Sequence, residues 1–171
     1  VCGLLAQALH IGELGFARGQ LGAGTGEIDL GDGACFETLL DAVMSQQVSV
    51  ASANAIWRRL EAAELTLPER IAASTEEELR SCGLSRQKTA YAFALARSGL
   101  DFSELEEMSD DEVIARLVVL PGIGRWTAEV YALSALGRAD VFAAGDLALQ
   151  EAARHLFGLE TRPSEWKLRQ M

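Results

Sequence analysis

The chain has 171 residues, of which 49% are apolar and 23% charged, which is typical of a globular protein with one core or two small lobes. No apolar run is long enough to span a bilayer and no targeting segment is evident, so we expect a cytoplasmic protein, nucleoid-associated if the source is bacterial. The net charge of −10 argues against a broad basic surface for nucleic acid. Cys2, Cys35 and Cys82 lack metal or redox spacing, so we expect reduced thiols.

Residues 1–32 are predicted to form an N-terminal helix followed by a glycine-rich linker. Residues 20–27 contain three glycines, but no convincing strand precedes them and no Gly-Lys-Ser/Thr follows. A flexible linker is therefore favoured over a phosphate-binding loop. His10 is interpreted as a packed or surface histidine rather than a catalytic one.

From residue 36 onward the sequence has helical periodicity almost throughout. Phe36, Leu39, Leu40 and Val43 recur at intervals of three and four residues, as expected for a helix with one buried face. Further helices are predicted over residues 48–64, after Pro68, after a capping box at residues 74–77, over about residues 87–98 and over residues 146–157. No stretch alternates with the period of a strand for long enough to require a sheet, so the sequence predicts an all-α fold.

Residues 109–136 have the pattern of two helices joined by a glycine turn. Ser109 and Glu112 form a capping box that begins the first helix, and Pro121 cannot continue it. The second helix is predicted to begin at Arg125, after a turn that glycines permit. Its unpaired N–H groups point outward at the positive end of the helix dipole, which makes this turn a candidate phosphate site. An ordinary helical hairpin with a Pro-Gly break is the alternative interpretation.

Two longer motifs give the chain a resemblance to a known family. Leu-Pro-Gly-Ile-Gly-Arg-Trp-Thr-Ala at residues 120–128, followed by Val-Phe-Ala-Ala-Gly-Asp at residues 141–146, resembles the helix-hairpin-helix (HhH-GPD) DNA glycosylase superfamily. Residues 44–52 and 144–150 are similar to its 3-methyladenine DNA glycosylase II branch. The resemblance extends from about Phe36 to the end of the chain.

The resemblance implies a glycosylase domain over residues 33–171, with two helical lobes and an active-site cleft between them. It implies double-stranded DNA with alkylated bases as the partner, and we expect a monomer. Relatives continue beyond the position of Met171 with a further basic, tryptophan-containing helix, so the C-terminal helix is expected to be missing here. The candidate DNA contacts in the hairpin are Gly122, Gly124, Arg125 and Thr127.

Asp146 is the candidate catalytic residue. By itself it reads as the N-cap of the helix that begins at Leu147, where aspartate is a favoured residue. In glycosylases that resemble this chain, the matching aspartate faces the sugar of a flipped nucleotide. A carboxylate there stabilises the positive charge that develops as the base leaves and can orient or deprotonate the attacking water. The two roles are compatible with each other.

Trp126 indicates the subclass. In superfamily members that also cut the DNA backbone, the matching residue is a lysine that forms a Schiff base, and tryptophan has no amine. The resemblance therefore implies a monofunctional enzyme that leaves an abasic site. Trp126, with Tyr91 and Tyr131, is a candidate for the base pocket, because alkylated purines carry a positive charge that favours aromatic faces. Packing within the hairpin is the alternative for Trp126, and Tyr131 also fits a core position.

Gln46 and Gln47 are further candidate DNA contacts, and a structural pair of glutamines is the alternative interpretation. The resemblance places Gln47 where a side chain fills the gap left by a flipped base, an event that costs a few kcal/mol. Some relatives have leucine there. Ser45 and Ser52 are candidates for phosphate contacts.

The resemblance also implies a monovalent cation, Na⁺ or K⁺, held by the backbone carbonyls of Leu117, Leu120 and Gly122. Some superfamily members bind an iron–sulfur cluster through four closely spaced cysteines near the C-terminus. This sequence has no such set, so no cluster is expected.

The function that the resemblance implies is hydrolysis of the N-glycosidic bond of alkylated purines such as 3-methyladenine, in base excision repair. Two alternatives remain open at the level of sequence. One is a hairpin protein that binds DNA without catalysis, and the other is a glycosylase for a different base, such as mispaired adenine.

Overall fold

The computed structural model of the protein describes residues 35–171, so the prediction for residues 1–32 lies outside the described residues. Between residues 35 and 171 there are ten helices and no strand, which confirms the all-α prediction. The helices are α1 (Phe36–Ser45), α2 (Val50–Ala62), α3 (Pro68–Ala73), α4 (Glu76–Ser81), α5 (Arg86–Ala96), α6 (Phe102–Glu107), α7 (Asp110–Val118), α8 (Arg125–Ser134), α9 (Leu147–Leu156) and α10 (Glu165–Gln170).

Helix α1 is the centre of the main core, where it contacts α2, α5 and α8. Leu39 and Leu40 are fully buried and Val43 is nearly so, in agreement with the predicted periodicity. Complete burial of a leucine side chain contributes about 1.5–3 kcal/mol, so this helix supplies a large share of the stabilisation that holds its three neighbours together.

The buried apolar residues form two clusters of unequal size. The larger extends from Phe36 in α1 to Val141, which follows α8. The smaller joins α9 to α10 and has four members: Ala144, Leu149, Ala153 and Leu168. The smaller cluster thus ties α9 and α10 to the segment before α9, in which Asp146 lies. The arrangement as two lobes with a cleft between them stays a prediction.

Predicted helix boundaries lie within two residues of the observed ones, except that the capping box before α4 is shifted by one residue. The backbone N–H of Glu78 donates to Thr75 Oγ1 at 3.2 Å, and that of Thr75 donates to Glu78 Oε2 at 2.7 Å. Ser74, the residue predicted for this role, instead ends α3, and its hydroxyl donates to the carbonyl of Ile71. Both residues have a glutamate three positions later, so only the end of α3 decided between them.

Two short helices, α6 and α10, are not predicted from the sequence pattern. Each has a capping side chain: Asp101 accepts from the N–H of Ser103 at 2.9 Å, and Ser164 accepts from that of Lys167 at 3.3 Å. Each helix has only six residues, which is too short for an apolar periodicity to be recognised. No helix of the described chain is both long and apolar enough to cross a membrane.

Candidate active site

The predicted hairpin consists of α7, a tight turn and α8. The capping box of α7 is confirmed, since the N–H of Ser109 donates to Glu112 Oε2 at 2.9 Å. Gly122 has φ +87°, a conformation that L side chains rarely adopt, and a Cβ at this position would overlap the ring of Tyr91. Glycine at 122 is therefore required both by the backbone and by the aromatic ring packed against it.

Gly124 is the N-cap of α8 and serves a different purpose. Its φ is −84°, which any residue adopts, and no described atom lies within 4 Å of a Cβ built there. The fold itself does not require glycine at this position. The missing side chain instead leaves the free N–H groups at the beginning of α8 open to a molecule that approaches from outside.

Asp146 is held by three hydrogen bonds and is only 8% exposed. Its Oδ1 accepts from the backbone N–H groups of Ala148 and Leu149, at 2.8 and 3.0 Å, so it is the N-cap of α9. Its Oδ2 accepts from Nε1 of Trp126 at 3.1 Å. The N-cap prediction is thus confirmed, and the catalytic role stays a prediction, because capping uses one oxygen and leaves the other directed toward the indole.

Trp126 lies half-buried in the first turn of α8. Because it immediately follows the hairpin turn, its hydrogen bond to Asp146 joins the two sequence motifs across 20 residues of chain. A Cβ at Gly145 would lie 3.5 Å from Cβ of Trp126 and 3.4 Å from Oε2 of Glu165. A second carboxylate, which sequence reasoning did not identify, therefore lies beside the residue that precedes Asp146.

The two tyrosines predicted for the base pocket occupy different environments. Tyr131 is fully buried in the main core, where its hydroxyl donates to the carbonyl of Cys35 at 3.4 Å, and burial raises the pKa of that hydroxyl. It has no surface available to a base in this structure, which corrects the expectation. Tyr91 is half-buried beside Gly122, and its hydroxyl accepts from the amide of Gln87.

Gln46 connects the loop after α1 to the hairpin. Its Nε2 donates to the carbonyl of Gly122 at 3.0 Å and to Oγ1 of Thr127 at 3.2 Å. Thr127 is 4% exposed, so its hydroxyl is used inside the protein. The side chains of Gln46 and Thr127 therefore hold two parts of the site together. The Thr127 side chain is not available to DNA, which corrects the expectation, whereas Gln46 is half-buried and its contact with DNA stays a prediction. Neither role is visible in the sequence, because the two residues are 81 positions apart.

Gln47, the next residue, is exposed and has φ +58°. Ser45 is half-buried, and its hydroxyl donates to the carbonyl of Asp41 at 2.7 Å. Ser52 is exposed in the first turn of α2, where its hydroxyl accepts from that of the N-cap Ser49 at 3.0 Å. Among the candidate DNA contacts in residues 45–52, Gln47 and Ser52 are thus the exposed ones.

Arg125 is restrained by an acidic residue that sequence reasoning missed. Its Nε lies 2.8 Å from Oε1 of Glu129, one turn later in α8, and the Arg125 side chain remains 53% exposed. Glu129 is 1% exposed and also pairs with Nη2 of Arg169 in α10 at 2.6 Å. A glutamate four residues after an arginine and surrounded by apolar residues is the signal that indicates such a buried pair.

The three carbonyls predicted to hold a monovalent cation do not fit that role equally. The oxygen of Leu117 accepts the N–H groups of Val119 and Leu120, which occupies both of its lone pairs. The oxygens of Leu120 and Gly122 each accept one hydrogen bond, from Ile123 and from Gln46 respectively, which leaves each with a further lone pair. A monovalent cation at these carbonyls stays a prediction. Across residues 35–171 no group of three or more His, Cys, Asp or Glu side chains is arranged to hold a metal.

Two clusters of acidic residues lie on solvated helix faces. Glu76, Glu77 and Glu78 in α4 are exposed, and so are the glutamates of α6 and the start of α7. A surface cavity of about 230 Å³, lined by residues that include Arg70, Ser74 and Glu78, contains none of the predicted site residues.

Comparisons with known proteins agree with this geometry. Residues 40–171 match the profile of the HhH-GPD superfamily base excision DNA repair proteins. The chain is 36% identical over 139 residues to DNA-3-methyladenine glycosylase 1 of Schizosaccharomyces pombe, covering 76% of this chain and 61% of the relative. It is 32% identical over 140 residues to an alkylbase DNA glycosidase-like protein of the same organism, covering 76% and 66%. The chain spans less than two thirds of the length of these curated relatives.

Solved structures give the same result. The crystal structure of DNA-3-methyladenine glycosidase from Bacillus halodurans superposes with a TM-score of 0.70 and 37% identity, covering 78% of this chain and 64% of that one. The 3-methyladenine DNA glycosylase of Schizosaccharomyces pombe, in complex with abasic DNA, gives 0.66 and 33%, covering 79% and 70%. The chain therefore belongs to the HhH-GPD superfamily of base excision DNA repair proteins, in its 3-methyladenine DNA glycosylase branch.

Proposed function

We propose that the protein is a monofunctional DNA glycosylase that hydrolyses the N-glycosidic bond of alkylated purines such as 3-methyladenine in duplex DNA. The observation that carries this proposal is the carboxylate of Asp146, fixed between Trp126 and the beginning of α9. The names of its relatives, which are 3-methyladenine glycosylases, support the choice of substrate class.

The chemistry depends on charge that develops in the transition state. As the base departs, positive charge accumulates on the sugar ring, and a nearby carboxylate stabilises it. Such stabilisation is most effective when the carboxylate does not have to reorient during the reaction. Three hydrogen-bond donors on Asp146 provide that preorganisation, and its remaining lone pairs are available to orient a water molecule or accept its proton.

Trp126 supports the assignment of a simple hydrolase. An indole cannot form the Schiff base that a lysine would form, so a covalent amine intermediate has no nucleophile at this position. We assign two roles to the side chain: its N–H holds Asp146, and its ring face attracts a cationic alkylated base.

We propose that DNA is bound by the hairpin and by the loop after α1. The backbone N–H groups at the beginning of α8 donate to a phosphate that approaches through the open surface at Gly124, and the exposed Arg125 adds a positive charge. Gln47, exposed at the tip of the neighbouring loop, fills the gap left by the flipped nucleotide.

The test is release of 3-methyladenine from methylated duplex DNA by the wild-type chain and by Asp146→Asn. Release is expected to fall at least about a hundredfold, as when a preorganised charge is removed from an active site, with DNA affinity preserved. Asp140→Asn, an exposed aspartate that precedes the same segment, is the control for the change in charge.

Other outcomes would contradict the proposal in different ways. Salt-sensitive DNA binding without release by the wild-type chain would indicate a binding module. Release of adenine from a mispaired duplex, in place of 3-methyladenine, would indicate a glycosylase for another base. Equal release by wild type and Asp146→Asn would remove Asp146 from the chemistry.

A further inference from the structure

Lys88 has contacts that the proposed catalytic scheme does not explain. It lies in the first turn of α5, and its Nζ donates to the carbonyls of Met44 and Gln46, the latter at 2.7 Å. Helix α1 ends at Ser45, so these carbonyls are at the negative end of its dipole, where a cation is favourable. Burial lowers the pKa of the Lys88 ammonium group, because it removes part of the water that solvates the charge.

The same loop is also fixed from the opposite side. The amide of Gln46 donates both of its hydrogens to the hairpin, to the carbonyl of Gly122 and to the hydroxyl of Thr127. The backbone of Gln46 is therefore attached to α5 through Lys88, and its side chain is attached to the turn that precedes α8. One residue thus joins three separate parts of the fold.

Gln47 follows directly on this doubly anchored residue. Its side chain is exposed, and its φ of +58° is a conformation that residues other than glycine rarely adopt unless their surroundings enforce it. A side chain that fills the gap left by a base is effective only if its backbone is not displaced when the neighbouring bases restack. Anchors on both sides of Gln46 supply that resistance.

We propose that Lys88 is a positioning residue for DNA insertion: by holding the end of α1 against α5, it fixes the loop from which Gln47 enters the duplex. This inference rests on the proposed function, in which Gln47 occupies the space of the flipped nucleotide. It assigns no chemistry to Lys88, whose ammonium group is engaged by carbonyls.

The experiment measures insertion without catalysis. The probe is a duplex with a tetrahydrofuran abasic analogue opposite 2-aminopurine, whose fluorescence changes when a side chain enters the gap and alters its stacking. Wild type at saturating concentration is expected to change the fluorescence. Lys88→Met is expected to lose most of that change, as is Gln47→Ala, while Lys88→Arg, which keeps the cation and its donors, retains it.

The chain offers a matched control, because it contains only one other lysine, Lys167, which is exposed. Lys167→Met has the same net charge as Lys88→Met and is expected to behave as wild type. If Lys88→Met changes the fluorescence as much as the wild type does, the inference is overturned. If Lys88→Met does not fold, Lys88→Gln, which also removes the cation, takes its place, and full insertion by that variant would overturn the inference equally.

A second measurement separates positioning from a general loss of structure. In single-turnover release of 3-methyladenine, Lys88→Met is expected to be about tenfold slower on duplex DNA and little changed on single-stranded DNA, where no flipping is needed. Equal slowing on both would contradict a positioning role. If the wild type and the variants show the expected fluorescence changes although the wild type releases no base, that result would refute the proposed hydrolysis and leave the inference about Lys88 intact.

Discussion

At the scale of single residues, the site depends on how Asp146 divides its two oxygens. One oxygen caps α9 and the other accepts the indole N–H of Trp126, so the capping role leaves the second oxygen for the proposed chemical role. A capping aspartate contributes about 1 kcal/mol to its helix, which is compatible with use of the second oxygen in the proposed catalysis. The sequence indicates that the two roles are compatible, and the geometry assigns the capping role to Oδ1.

Trp126→Phe tests the indole hydrogen bond. The substitution keeps an aromatic face but removes the N–H that holds Asp146 Oδ2, so the single-turnover rate of base release is expected to fall about tenfold, as for loss of one hydrogen bond to a charged group. Stability, measured by the urea midpoint, is expected to change little, because Trp126 is only half-buried. An unchanged rate would show that the capping N–H groups alone orient the carboxylate.

At the scale of elements, the two hairpin glycines have separable functions. Gly122 is fixed by its positive φ and by the ring of Tyr91, whereas Gly124 has ordinary dihedral angles and open space around it. Gly122 is therefore needed for the fold, whereas Gly124 keeps open the surface that DNA is proposed to approach.

The pair Gly122→Ala and Gly124→Ala tests this distinction, each variant serving as the control for the other. Gly122→Ala is expected to lower the free energy of unfolding by about 1–3 kcal/mol, because the added Cβ is strained and overlaps Tyr91. Gly124→Ala is expected to leave the urea midpoint nearly unchanged and to weaken DNA binding, measured by fluorescence anisotropy. Equal loss of stability in both variants would contradict this division.

At the scale of the whole molecule, a net charge of −10 implies that the proposed DNA binding relies on a few local contacts. Backbone N–H groups carry no formal charge, so their contacts with phosphate add little to the salt dependence of the affinity. Each contact from an arginine or a lysine makes that dependence steeper.

Arg125→Ala tests this balance. The plot of log affinity against log salt concentration is expected to become less steep by about 0.9, the value for one phosphate contact. Arg80→Ala, an exposed arginine in α4, is expected to leave the slope as in the wild type. An unchanged slope in Arg125→Ala would mean that its guanidinium is used for Glu129 alone.

Arg169 ties α10 to α8, because it contacts Glu129 and Glu165 and donates to the carbonyl of Phe142 in the segment that leads to Asp146. Oε2 of Glu129 is buried and has no partner among the described residues, so this glutamate depends on the two arginines at Oε1.

Arg169→Met is expected to lower the free energy of unfolding by about 2–3 kcal/mol, because a buried carboxylate loses one of its two cations. The change is measured by urea denaturation, with Lys167→Met, an exposed position in the same helix, as the control. Equal midpoints for the two variants would show that Arg125 alone neutralises Glu129.

The sequence by itself determined the local features of this protein. Helical periodicity predicted α1 and α2, the capping box at Ser109 predicted the beginning of α7, and the two spaced motifs identified the family. These features can be recognised in the sequence because apolar spacing, capping side chains and glycine turns act over only a few residues. Asp146 was identified for the same reason, since its motif lies within one short segment.

Only the tertiary structure decided which side chains share one site. In the folded protein Tyr131 is buried in the core, and Gln46 and Thr127 join the loop after α1 to the hairpin. Lys88 lies at the end of α1. These contacts link residues that are 42 to 96 positions apart. Their partners are set by the packing of α1 against α5 and α8, and no pattern within a single stretch of sequence records that packing.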